Sequence, residues 1–149
     1  MRAVVVETLG GLDHLQLIDV PEPLPGPGEV VIEVHFAACN WSDIQKRQGV
    51  YPVPVTYPIV LGLELSGRIA RVGPSVRGLK QGDRVAAMTG PYMMGGFAEY
   101  CLVGADYVIK LPKDVPLKLG AAFPVTTLTA YHLLYSAHRI RKGETILVH

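Results

Sequence analysis

The sequence is short of several features that define whole classes of protein. Its two cysteines, Cys39 and Cys101, are too few and too far apart for a disulfide framework, so a reducing environment is expected. Apolar runs stay well below the ~20 residues of a membrane-spanning helix. Lysine and arginine form no cluster and the formal net charge is +1, which argues against a nucleic-acid partner. The composition therefore favours a cytoplasmic globular protein with no membrane span.

Short segments of strand character dominate the chain up to about residue 110. A half-buried strand is predicted at 30–36, because one set of alternate positions would face the core and the other would face away. The inward set is Val30, Ile32, Val34 and Phe36, and the outward set is Val31, Glu33 and His35. Other strands are predicted at 4–6, 15–20, 66–72, 84–87, 98–103 and 107–109, each bounded by Gly, Pro or Asp. Many short strands at this spacing predict a barrel or a sandwich, in a fold that is mainly β with some α.

Two helices are predicted within this pattern. The first covers 40–48, with Asn40 as its N-cap and Gly49 just beyond its end. The second runs from about Ala121 or Pro124 to Arg139, and cations follow where the helix dipole favours them. Residues 145–149 then predict a short buried strand. A helix followed by a strand is the start of an α/β region.

A glycine-rich phosphate turn is also missing. No Gly-x-Gly-x-x-Gly occurs, and Gly26-Pro27-Gly28 lies in a proline-rich turn without a strand and helix around it. In a dinucleotide-binding fold, a strand such as 145–149 leads directly into that turn. We therefore expect these 149 residues to hold at most half of a dinucleotide site, and to bind such a cofactor weakly by themselves.

Three turn motifs follow one another in a familiar order. They are GRIARVG at 67–73, LKQGDRV at 79–85 and GGFAEY at 95–100. With the terminal helix and strand, this arrangement resembles the medium-chain dehydrogenase/reductase superfamily from end to end. The resemblance implies a GroES-like, partly open β-barrel as the catalytic domain at 1–122. It also implies the first helix and strand of a truncated nucleotide-binding (Rossmann) domain at 123–149.

Zinc is the first division within that family. Its zinc enzymes place a cysteine three residues before the aspartate that here is Asp43, and Gly-His-Glu where this chain has 62–64. The matching positions hold Asn40 and Leu63. Catalytic zinc needs three protein ligands, and neither an amide nor a leucine side chain can serve as one of them. Cys39 is adjacent, but neighbouring residues point in different directions. No metal is therefore expected, and the resemblance narrows to the zinc-independent, ζ-crystallin-like quinone oxidoreductase branch.

That branch implies a function for the full-length parent. It would be an NADPH-dependent reductase of quinones or α,β-unsaturated carbonyls and a homodimer, whereas the 149 residues alone would be inactive. A zinc-dependent alcohol dehydrogenase remains an alternative, disfavoured by Asn40 and Leu63. A non-enzymatic module also remains: a co-chaperonin, or a lipid- or partner-binding protein of the vesicle amine transport type. The substrate and the choice between NADPH and NADH stay open.

Three residues are candidates for the site, each with a plainer alternative. Asn40 carries an amide that the resemblance turns towards the nicotinamide or a substrate carbonyl; otherwise it is a helix cap. Tyr51 offers a phenol to the substrate oxygen, or is a packing tyrosine. Thr129 occupies a family position beside the nicotinamide, although a threonine within a helix commonly bonds back to the preceding turn.

Other polar residues near these candidates are assigned structural roles. Asp43 is expected to hold the first helix, and Glu64 to accept a buried hydrogen bond from an arginine or a backbone group. Cys101 is expected to be a small core residue. His132 is the histidine that could lie near the cleft, and 91–96 is expected to form a loop at its mouth.

Overall fold

Antiparallel strands make up most of the structure, a computed structural model that describes residues 1–90 and 94–148. The strands are β1 (Arg2–Val6), β2 (Leu15–Asp19), β3 (Glu29–Ala38), β4 (Ile59–Val60), β5 (Glu64–Val72), β6 (Arg84–Met88), β7 (Tyr100–Gly104) and β8 (Val108–Lys110). The helices are α1 (Trp41–Gln48), α2 (Leu117–Ala121) and α3 (Pro124–Tyr131), and α3 continues into a π-helical segment, His132–Ala137.

The strands form two sheets that share an interior. The smaller sheet has the order β2-β1-β4, and the larger has the order β7-β3-β5-β6-β8. An antiparallel bridge between Ala3 and Ala98 joins β1 to the segment before β7, and the Val4 amide donates to the Phe97 carbonyl at 2.8 Å. Because β7 and β8 do not pair with each other, the larger sheet stays open. The partly open barrel predicted from the sequence is confirmed.

Two apolar clusters fill the interior. The larger lies on the β3–β5–β6–β7 sheet and contains Val30, Ile32, Leu65, Ile69, Val85, Ala87, Cys101 and Val103. The smaller lies under β1 and β4 and contains Val6, Ile59 and Leu61, with Phe97 and Tyr57 packed against it. Cys101 is therefore a core residue, as expected. Each fully buried aliphatic side chain contributes about 1.5–3 kcal/mol of transfer free energy.

The predicted alternation in β3 is correct only for part of the strand. Val31, predicted to face away from the core, is fully buried, and Phe36, predicted to face it, is 43% exposed. The pairing of β3 with β5 shifts register between Val31 and Ile32, and again between Val34 and Phe36. A bulge inserts a residue and turns the following side chains to the other face of the sheet. The prediction for Phe36 was wrong for this reason.

The carboxyl-terminal segment departs from the expected helix and strand. The helix forms as α3 and its π-helical continuation, and it ends close to the predicted residue. Residues 145–148, however, form no strand, and Leu147 and Val148 are 77% and 84% exposed, so the prediction of a buried strand was wrong there. A strand needs a hydrogen-bonding neighbour, and 145–148 have none within the described part of the chain. His149 and the 91–93 part of the predicted loop lie outside the described residues.

Across 1–90 and 94–148, none of the helices combines the length and the apolar character needed to cross a lipid bilayer.

Candidate functional site

Helix α1 begins where β3 ends, and Asn40 is the residue at that junction. Its backbone is extended (φ −118°, ψ 154°), as in a typical N-cap, so the predicted cap is confirmed. At the other end Gly49 donates its backbone N–H to the Lys46 carbonyl at 3.0 Å, and its left-handed conformation (φ 73°) lets the Val50 backbone N–H reach the Gln45 carbonyl at 3.0 Å. The strand therefore delivers Asn40 to a fixed point at the start of the helix.

Asp43 secures that point from within the helix. One carboxylate oxygen accepts a hydrogen bond from the backbone N–H of Asn40 at 2.9 Å, and the other accepts one from the backbone N–H of Gly62 at 3.1 Å. The residue is 4% exposed, and burial raises the pKa of its carboxyl, while the two backbone donors and the Lys46 ammonium act in the opposite direction. Asp43 thus ties α1 to the β4–β5 connection, which is the structural role predicted for it.

The side-chain amide of Asn40 is held by Glu64. Asn40 Nδ2 donates to Glu64 Oε1 at 3.0 Å, and it lies 3.5 Å from the Ala38 carbonyl oxygen, the outer limit of a hydrogen bond. The second carboxylate oxygen, Glu64 Oε2, accepts the Val125 amide N–H at 2.8 Å. The prediction that Glu64 takes a buried hydrogen bond from a backbone group is confirmed; its bond to Asn40 was not foreseen.

Thr129 lies on α3, beside an open apolar groove of about 640 Å³. The groove is lined by Met88, Val125, Leu128, Thr129, His132, Leu133, Ser136 and Ala137. The Thr129 hydroxyl donates to the Val125 carbonyl at 2.8 Å, the back-bonding considered from the sequence. His132 also lies on this groove, where its Nδ1 is 2.9 Å from the Ser136 hydroxyl. The groove is therefore an apolar surface formed mainly by α3 and the π-helical segment that continues it.

Tyr51 lies at the other end of α1, in a separate depression. Its neighbours in this depression of about 230 Å³ are Leu9, Gly49, Val53, Pro54, Val55 and Tyr57. The Lys46 ammonium nitrogen is 4.9 Å from the centre of the Tyr51 ring, a cation–π contact. Asn40 is linked to the Thr129 helix through Glu64, whereas Tyr51 shares no lining residue with the groove beside Thr129.

Lys46 is the residue of this region that the sequence analysis missed. It is 1% exposed, and burial lowers the pKa of its ammonium group, with the Asp43 charge acting in the opposite direction. The signal was present in the sequence, because positions 43 and 46 are one turn apart on one face of a helix. A lysine within a polar helix is usually taken for a solvated residue, and for that reason it was passed over.

The positions that hold zinc in related enzymes carry other chemistry here. Asn40 is bonded to Glu64, and Leu63 is an apolar residue with 3% exposure. Over 1–90 and 94–148, the structure contains no group of three or more His, Cys, Asp and Glu side chains arranged to bind a metal. An amide and an aliphatic side chain do not complete a catalytic zinc site.

The open antiparallel barrel is that of a GroES-like domain. The chain belongs to the medium-chain dehydrogenase/reductase superfamily: residues 26–113 match the family model of the alcohol dehydrogenase GroES-like domain.

Solved structures and curated sequences agree with this assignment. The human synaptic vesicle membrane protein VAT-1 homolog-like protein has a TM-score of 0.92 and 37% identity over 96% of this chain. A mycobacterial protein complexed with NADPH has a TM-score of 0.86 and 33% identity over 97% of this chain. The human quinone oxidoreductase sequence is 37% identical over 150 residues and 100% of this chain. The chain spans 45%, 44% and 45% of these three proteins, respectively.

Proposed function

We propose that the chain is part of a zinc-independent oxidoreductase that uses NADPH to reduce quinones or α,β-unsaturated carbonyl compounds. Residues 1–122 would form its catalytic domain and 123–149 the start of its nucleotide-binding domain. The observation that carries the proposal is Asn40 at a zinc-ligand position, with its amide held by buried Glu64. Similarity to a quinone oxidoreductase and to an NADPH complex supports the same activity.

The described residues fit one end of the cofactor. The groove beside Thr129 is wide and almost wholly apolar, which suits the face of a nicotinamide ring. None of the residues lining it is a lysine or arginine that could bind the diphosphate. We therefore assign Thr129 and Asn40 to the nicotinamide end, and no residue of this chain to the phosphates.

Bound NADPH would supply the hydride, and the chain's own residues would orient the acceptor and handle the proton. Reduction places negative charge on the substrate carbonyl oxygen, where an oriented donor stabilises it. The second N–H of the Asn40 amide, whose contact with the Ala38 carbonyl is long at 3.5 Å, is the donor available to that oxygen. We keep the Tyr51 hydroxyl as the proposed proton donor, which requires the substrate to extend from Asn40 to the depression at the other end of α1. A quinone or enone is already electrophilic, so a metal is not required.

Substitution of Asn40 in the full-length protein tests this role. Asn40→Ala should lower turnover of a quinone by about 10²–10³-fold, because a donor to the developing oxyanion is lost. Loss of a helix cap alone would cost ~1 kcal/mol of stability and leave the folded enzyme active. Asn40→Asp keeps the cap but places a carboxylate beside the charge that develops. NADPH oxidation by Asn40→Asp at the parent rate, with the same melting temperature, would exclude Asn40 from the site.

A second candidate is a non-enzymatic lipid- or partner-binding role. The human vesicle-protein homologue, similar over 96% of the chain, favours it. The same assay separates the two functions, because a binding protein would not oxidise NADPH with any quinone or enone. Tyr51→Phe removes only the hydroxyl. In an enzyme it should slow NADPH oxidation by the quinone, whereas in a binding protein neither the parent nor the variant should oxidise NADPH.

A further inference from the structure

The amino termini of two helices meet at one carboxylate. Glu64, the first residue of β5, is 1% exposed. One of its oxygens accepts from the side chain of Asn40, the N-cap of α1, at 3.0 Å. The other accepts from the backbone of Val125, in the first turn of α3, at 2.8 Å. A buried carboxylate is stable only where hydrogen bonds satisfy it, and these two donors come from opposite sides of the proposed site.

Helix α3 has no cap of its own. Its N-cap position is Phe123, which has no polar side chain, and Pro124 has no amide hydrogen to donate. The Val125 amide is thus the first donor of this helix, and its acceptor is 61 residues away in sequence. A negative charge there is also favoured by the helix dipole. The start of α3 is therefore located by a residue of the barrel.

The orientation of the Asn40 amide is set by the same contact. An ionised carboxylate can only accept hydrogen bonds, so the Asn40 atom facing Glu64 must be the amide nitrogen and not the oxygen. Exchanging these two atoms would bring the amide oxygen against the Glu64 carboxylate. Glu64 thereby fixes both which group Asn40 presents and where the helix carrying Thr129 begins.

We propose that Glu64 is a positioning residue of the reductase, which holds the Asn40 amide and helix α3 in one fixed relation. This inference rests on the proposed function, because Asn40 serves the substrate side and Thr129 the nicotinamide side. Glu64 itself transfers no proton and contacts no substrate; it acts through the two groups that donate to it.

The informative variant is Glu64→Gln in the full-length protein. Glutamine has nearly the same size but only one acceptor oxygen. If that oxygen keeps the bond to Val125, its NH2 group faces Asn40, which must then present its amide oxygen there instead of its nitrogen. We expect kcat for quinone reduction to fall by roughly 10–10²-fold, the range for misplaced reacting groups, with KM for the quinone changed much less. Glu33→Gln, an exposed site on β3, makes the same chemical change and should leave kcat unaltered.

Two further variants separate positioning from a merely structural role. In an Asn40→Ala background, Glu64→Gln should lower kcat by less than roughly 3-fold, because its main target is already gone. The pair Asn40→Asp with Glu64→Gln exchanges donor and acceptor and keeps both bonds. It should retain the hydrogen-exchange protection of the Val125 amide, which Glu64→Ala lowers because no acceptor remains, without restoring turnover.

The outcomes are distinct. The positioning role is overturned if the kcat of Glu64→Gln per folded molecule equals that of the parent, or if Glu64→Ala leaves the protection of the Val125 amide unchanged. It is also overturned if the rate losses of Asn40→Ala and Glu64→Gln simply multiply. Failure of the parent protein to reduce any quinone or enone defeats the proposed function instead, and hydrogen exchange at Val125 then still reports whether Glu64 holds α3.

Discussion

Asp43 and Lys46 are two buried ionisable residues one turn apart in α1, and the pKa of each is shifted in the direction that favours its neutral form. Burial is the main cause for each, lowering the pKa of Lys46 and raising that of Asp43, and their mutual attraction opposes both shifts. Asp43 also has two backbone donors, whereas Lys46 lies over the face of the Tyr51 ring. Lys46 is therefore the member of the pair whose ionisation should influence stability at alkaline pH.

Replacement of this lysine should change how stability depends on pH. The unfolded chain takes up a proton at the ordinary lysine pKa of 10.5, but the folded chain does so only at lower pH. Between these two pKa values the unfolded state binds more protons, so the free energy of unfolding rises with pH. The stability gained in this way is lost as the pH falls from 10.5 through the lowered pKa of the folded chain. In Lys46→Met that rise should be absent.

Urea unfolding at a series of pH values measures this dependence. Lys113→Met, at an exposed position, is the matched control. Its free energy of unfolding should rise with pH as steeply as that of the parent chain. Equal slopes for the parent and Lys46→Met would show that the buried ammonium has no energetic consequence.

The two thiols should differ sharply in reactivity. Cys101 is 2% exposed, and burial raises the pKa of its thiol to about 12, so very little thiolate forms at neutral pH. Cys39 is exposed. A thiol reagent should therefore modify one cysteine promptly in the native protein and the second only after unfolding. Cys39→Ser should abolish the prompt reaction; a fast phase that survives this substitution would contradict the burial of Cys101.

At the scale of elements, β5 and β3 approach each other closely at Gly67. A Cβ atom added at Gly67 would lie 1.9 Å from the Glu33 carbonyl oxygen, so Gly67→Ala must push the two central strands apart. We expect a loss of about 1–3 kcal/mol, or more, in the free energy of unfolding measured with urea. Gly104→Ala is the control, because its nearest neighbour is the Tyr107 ring at 3.3 Å, which can move. Equal losses would mean that β3 adjusts freely.

Alternation and turn residues were sufficient to predict most strands, capping residues to predict α1, and residue type to predict the core position of Cys101, because these signals are local. The bulges that expose Phe36 were not predictable, since they arise from the pairing of β3 with β5. Helix α2, only five residues long, is too short to produce a helical period. Glu64 was predicted to be buried and bonded to backbone, but its bond to Asn40 joins residues 24 apart. Contacts of that kind are a property of the fold.

At the scale of the whole molecule, stability should not depend on a metal ion. The two apolar clusters supply the interior, and Asn40 and Leu63 occupy the positions of zinc ligands. We expect elemental analysis of the purified 149-residue chain to find less than roughly 0.1 zinc per chain, since a four-coordinate site lacks its ligands. A chelator should leave the melting temperature unchanged. About one zinc per chain, or a lower melting temperature with chelator, would contradict the zinc-independent assignment.

The position of β1 also determines when the barrel can close during synthesis. This first strand pairs with β2 and β4, but it also bonds to the segment around Ala98, which is translated much later. At about 5–20 residues per second, a ribosome needs roughly 5–20 s to make the intervening ~100 residues. Throughout that interval Val5 and Val6, which are buried in the finished protein, have no complete core to enter. The nascent chain should therefore expose the apolar side chains of β1 until the segment around Ala98 has been made.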